Sequence, residues 1–185
     1  MMAWADVDAV LRPLGFKKEK ARWYRRRNSS IDVVEIQVSK GGDSVTANIG
    51  ALDSEIFRMC WGQDPAGVIQ ASHCTVEARL GTLATGRDTW WPLGSSEFVP
   101  AIAIHAQLFL EQVHAPGGLE DVLASSLERR GLRGDPSRVI YLALLRNRRG
   151  DRSGACQLLA DLRSRTSDAW KSRVSTVAAA IGCGD

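Results

Sequence analysis

Apolar residues at Trp4, Val7, Val10, Leu11 and Leu14 recur at helical spacing up to Gly15, which predicts a short amphipathic helix at the start of the chain. The period then falls to two. "ARWYRR" reads as a strand and "RNSS" as a turn; in "SIDVVEIQVS", Val34, Ile36 and Val38 alternate with Glu35, Gln37 and Ser39. After the turn "KGGD", Val45, Ala47 and Ile49 alternate with Thr46 and Asn48. In "CTVEARLG", Cys74, Val76, Ala78 and Leu80 oppose Thr75, Glu77 and Arg79. Strands of this kind belong to an antiparallel sheet with one buried face. Residues 51–72 show no clear period and are left open.

From "SSEFVPAIAIHAQLFLEQVHAP" onward the helical period returns, with Ser95 or Ser96 as the expected N-cap, Pro100 in an early turn and Pro116-Gly117-Gly118 as the stop. Three further helical patterns follow. One ends at Gly131, one starts with Asp135 as N-cap and Pro136 at the first helical position and ends at Gly150, and the last stretch, residues 151–182, reads as a helix pair. The fold class expected is α+β: an antiparallel sheet of about four to five strands, packed with an N-terminal helix and a long helix, then a small all-helical array. The corresponding domains are residues 1–116 and 117–185. The pair from Asp135 to Arg165 resembles a single tetratricopeptide-type hairpin, with Leu142, Ala143, Ala155 and Leu159 at its small and apolar positions, but no second copy at a matching period is present.

Composition agrees with a packed protein. The 185 residues are 44% hydrophobic and 24% charged, with six Trp. No apolar run approaches the ~18 residues a membrane span needs, and the N-terminus lacks the pattern of a signal peptide, so the expected location is the cytoplasm. Cys60, Cys74, Cys156 and Cys183 are scattered without a CxxC pair, so the expectation is small core hydrophobes and neither disulfides nor zinc. His73 and Cys74 are adjacent, and neighbours on a strand point to opposite faces. His105, Glu111 and His114 share a helix, but only the last two are spaced to meet on one side. Nucleophile elbow, phosphate-binding Gly-rich loop and HExxH are all missing. The chain is therefore expected to be non-enzymatic, with no catalytic residues, metal or cofactor.

Charge is unevenly spread. Residues 1–30 hold eight basic and three acidic residues, whereas 31–127 hold four and twelve, a net −8. An acidic sheet segment suits a basic protein partner. Glu35, Gln37, Asn48, Glu77 and Arg79 fall on the polar phase of successive strands, and Trp90 and Trp91 cannot both point inward from an extended chain. These seven residues form the candidate partner-binding set. The basic stretch "GFKKEKARWYRRR" offers an alternative nucleic-acid site at Lys17, Lys18, Arg25, Arg26 and Arg27. The same residues also read as edge-strand protection, and strand alternation puts Trp23 in the core. Arg129, Arg130, Arg146, Arg148, Arg149, Arg163 and Arg165 occupy last turns of helices, where the helix dipole favours cations without any ligand.

Gly15, Phe16, Gln37, Ser39, Asn48, Gly50, Arg79, Gly81, Asp88, Trp90 and Trp91, in the order set by "LRPLGFKKEKARWYRR", "VVEIQVSKGGDSVTANIGAL" and "CTVEARLGTLATGRDTWWPL", resemble the bacterial family catalogued as domain-of-unknown-function 4304 over about residues 8–115. The resemblance implies a compact α+β domain without an established reaction. It also implies a small cytoplasmic accessory or immunity-type protein that binds and masks a toxin. Val45 stands where the family usually has an aromatic residue, and the helical array lies outside the likeness.

Overall fold

The computed structural model describes residues 4–129 and 135–184; Arg130 and Gly131, invoked above at a helix end, lie outside them. In chain order come helix α1 (Trp4–Leu11), strands β1 (Lys17–Glu19), β2 (Arg22–Arg27), β3 (Ser30–Val38) and β4 (Ser44–Asp53), and helix α2 (Ser54–Trp61). Strand β5 (Val76–Arg79), helix α3 (Leu80–Thr85) and the short β6 (Trp91–Pro92) follow. A continuous rod is then made of α4 (Phe98–Ala101), a π-helical turn (Ile102–Ala106) and α5 (Gln107–His114). Helices α6 (Gly118–Arg129), α7 (Pro136–Arg148), α8 (Arg152–Arg165) and α9 (Asp168–Ala180) complete the chain.

The fold is α+β. Its chain divides into two compact units, one running to Asp53 and resuming over Ala66–Ala115, the other made of Ser54–Pro65 and the chain from Pro116 onward. In the first, an antiparallel sheet has the order β1-β2-β3-β4-β5, with β6 also paired to β4. One sheet face carries Trp23, Val34, Ile36, Val45, Ala47 and Ile49, all buried. The buried stripe of α1 (Val7, Leu11) and that of the rod (Phe98, Ile102, Ala106, Phe109, Leu110, Val113) complete this core. The rod starts later than expected: Glu97 holds the N-cap position, while Ser95 Oγ accepts from the Glu97 backbone N–H at 3.2 Å. The strand "CTVEARLG" is also shorter than its alternation, because Leu80 already opens α3.

The stretch left open in the sequence contributes to both units. Its α2 joins the helices because Trp61 has partners there: its indole N–H donates to the Tyr141 hydroxyl at 2.8 Å, its ring lies edge-on to Trp170 at 5.8 Å, and Arg173 sits over it at 5.3 Å. Arg173 also donates to the Cys60 carbonyl at 3.0 Å. Asp135 and Asp151 cap α7 and α8 through backbone N–H groups of Ser137 and Gly154. Leu142, Ala143, Ala155 and Leu159 are buried in the α7 and α8 hairpin.

The cysteine expectation needs correction. Cys156 and Cys183 form a disulfide, while Cys60 and Cys74 are buried thiols outside any disulfide. The pairing follows from helix packing: α8 and α9 form a hairpin, so the first turn of α8 meets the chain just beyond α9, 27 residues away. Linear spacing carries no trace of that meeting. No helix among the described residues is long and apolar enough to cross a membrane.

Candidate functional site

The other face of the sheet is where the polar phases meet. Arg22 on β2 pairs with Glu35 on β3, Glu35 with Asn48 on β4, and Asn48 with Arg79 on β5. Directly opposite residues share a face, so these four side chains form one row across four strands. Gln37 and Thr46 pair in the next row, and Glu77 pairs with Gly50 on the other side. A shallow cavity of about 360 Å³ opens here, lined among others by Glu35, Gln37, Asn48, Gln70, Glu77 and Arg79.

The groups are held in position by one another. Glu35 accepts from Arg22 Nε at 2.6 Å and from the Ala71 backbone N–H at 3.1 Å. Asn48 Nδ2 donates to Gln37 Oε1 at 3.3 Å. Arg79 donates to both Asp88 carboxylate oxygens, at 3.1 and 3.2 Å, and its guanidinium lies 5.4 Å from the centre of the Trp90 ring. A carboxylate, two amides, a guanidinium and an aromatic rim therefore converge on a surface with both donors and acceptors.

Two glycines make the geometry possible. A Cβ on Gly50 would lie 2.7 Å from Cys74 Sγ, so only glycine lets the 70–74 segment lie against β4 and form a wall of the cavity. A Cβ on Gly81 would lie 2.2 Å from the Thr89 carbonyl oxygen. This close approach draws the chain after α3 back to the sheet and sets Asp88 and Trp90 beside Arg79.

Of the seven residues expected to bind a partner, six come together: Glu35, Gln37, Asn48, Glu77, Arg79 and Trp90. Trp91 does not. It pairs with Val45 in the sheet and is buried 5.7 Å from Phe98, because directly opposite residues share a face and Val45 faces the core.

The basic stretch divides between the two sheet faces. Lys17 and Arg26 lie exposed on the polar side, and Lys18, Arg25 and Arg27 on the other, where Lys18 sits 5.4 Å from the Trp23 ring. Arg25 is committed internally. It binds Asp32 at 2.8 and 2.9 Å, donates to the Leu14 carbonyl at 3.1 Å and stacks 4.6 Å from the Phe16 ring. Arg27 lies 3.8 Å from the same carboxylate. Among the Arg-rich helix ends, Arg146 and Arg149 pair with Glu120, and Arg148 with Glu55.

Asp32 was not singled out by the sequence, and His114 was weighed there only beside His105 and Glu111. Asp32 is fully buried and accepts from His114 Nε2 at 2.7 Å across 82 residues. The signal was present: Asp32 interrupts the core-facing phase that continues with Val34 and Ile36, and a carboxylate there needs cationic partners. The group binds α5 and β2 to β3. Around β2, burial pushes the Tyr24 hydroxyl above its ordinary pKa, and the buried oxygen has no hydrogen-bond partner among the described residues. Burial also pushes the Cys60 thiol up to about 12, far from a reactive thiolate. Among the described residues no three His, Cys, Asp or Glu side chains gather as metal ligands.

No curated protein and no solved structure matches the chain. The family model described as Domain of unknown function (DUF4304) matches residues 7–106, which include Gly50, Gly81 and every member of the polar row, and the chain belongs to that family.

Proposed function

We propose that this protein is a non-enzymatic binding factor that docks a protein partner on the polar sheet face, in the manner of a cytoplasmic immunity protein that masks a basic toxin. The observation that carries this reading is the Arg22, Glu35, Asn48 and Arg79 row with Trp90 at its rim. Such a row provides oriented donors, acceptors and one aromatic anchor, the mixture that protein interfaces use at their centres. The net −8 of residues 31–127 favours a basic partner. The nucleic-acid reading ranks second, because the basic stretch is split between faces and Arg25 is bound to Asp32.

The test is affinity capture of the tagged protein from host lysate at low salt, with and without nuclease, followed by titration of the retained protein against Gln37→Ala/Asn48→Ala/Arg79→Ala. The expected outcome is a nuclease-resistant basic partner whose affinity falls about tenfold or more in the triple variant. Unchanged affinity removes the sheet face as the site. Recovery of nucleic acid, or of proteins lost on nuclease treatment, selects the second reading.

A further inference from the structure

A different surface lies in the helical unit. Helices α8 and α9 leave a groove of about 1140 Å³ between them. Leu159 and Ala160 of α8 and Val174 and Ala178 of α9 supply its apolar lining. Arg163 and Lys171 stand on its rim, and among the described residues no carboxylate lines it. Arg163 has no ion-pair partner among the described residues, and Lys171 has only the exposed Asp168 one turn away, a pair too solvated to quench its charge. The opposite end is closed by the Cys156–Cys183 disulfide.

From this charge pattern we infer that the α8 and α9 groove is a docking site for an acidic amphipathic helix of a partner protein. The apolar stripe of that helix rests on Ala160, Ala178 and Ala179, over a floor made by the buried Leu159 and Val174, and its carboxylates meet Arg163 and Lys171. Ser153 to Ser164, the lining of α8, spans about 16 Å at about 1.5 Å per residue, which matches an occupant of about eleven residues. An amphipathic segment of that length is marginal as a free helix, so the apolar groove and the two cations together provide what orders it. A basic helix of the same apolar pattern is repelled. The partner chemistry thus differs from that proposed for the sheet face, and the two surfaces are independently testable.

The probe is a displayed library of helix-forming peptides selected on the full-length, disulfide-intact protein, with binders then measured by fluorescence polarisation. The expected result is enrichment of peptides with apolar residues at i, i+3, i+4 and i+7 and with Asp or Glu toward one end. Their affinity should fall about tenfold or more in Arg163→Glu/Lys171→Glu and in Ala160→Glu. These positions are exposed, so unchanged far-UV circular dichroism and melting are required of the variants, and Gln157→Glu, in the same lining, replaces any that fails to fold. The inference is overturned if nothing is enriched, if the enriched peptides lack acidic residues, if the charge reversals leave binding unchanged, or if binding is lost instead in Gln37→Ala/Asn48→Ala/Arg79→Ala.

Discussion

Replacing Asp32 with Ala tests the central electrostatic element of the sheet unit. Asp32 has 0% exposure and is held by Arg25 at 2.8 Å and His114 at 2.7 Å; the Arg25 side chain is itself only 11% exposed. Removing one member of a buried pair costs about 3–5 kcal/mol, mostly because the other charge is stranded. Arg25 keeps the Leu14 carbonyl and the Phe16 ring, and His114 is 21% exposed and so within reach of water. The lower end, about 3 kcal/mol, is therefore expected. That corresponds to a fall of roughly 150-fold in amide protection, since about 1.4 kcal/mol is a factor of ten. Hydrogen exchange read on peptides from β2, β3 and α5 is the suitable assay, because it reports the loss where Asp32 sits, whatever the other compact unit does. If stranding is the cause, Asp32→Ala/Arg25→Ala recovers part of the lost protection. A fall of less than about threefold in Asp32→Ala, or a double variant that is worse than the single one by the full cost of Arg25→Ala, refutes the reasoning.

Three further outcomes are expected. Gly81→Ala forces a Cβ against the Thr89 backbone; the 86–90 chain must shift, costing roughly 2–4 kcal/mol in thermal melts and loosening Trp90 fluorescence, and a wild-type melt contradicts the close-approach argument. The Asp8 carboxyl is held below its ordinary pKa, first by the Trp23 indole N–H and then by Arg12. A depressed folded pKa gives stability that is present above the unfolded value and lost as pH falls through the folded one, so Asp8→Asn should flatten the loss of melting temperature below about pH 4; parallel profiles would exclude it. Reducing the Cys156–Cys183 bond, which closes a 27-residue separation, should destabilise the helical unit by about 3–4 kcal/mol. Alkylation and mass spectrometry of the denatured protein should find two thiols without reductant, from Cys60 and Cys74, and four with it.

Alternation along the chain was enough to place Glu35, Gln37, Asn48, Glu77 and Arg79 on one polar face and Trp23 in the core, because the two-residue period of a strand is a local property. Capping by Asp135 was equally local, since it bonds a backbone N–H two residues on. What tertiary structure decided involves partners far apart in sequence. Which of Trp90 and Trp91 enters the core depends on where β6 meets β4. Whether Arg25 of "GFKKEKARWYRRR" is available depends on the buried Asp32, which binds both Arg25 and His114, the latter 82 residues away. The disulfide depends on α8 and α9 forming a hairpin, and the cavity wall on Gly50 admitting Cys74. Sequence sets which face a side chain takes because that follows from backbone period; what it meets there is set by long-range packing, to which the local pattern is blind.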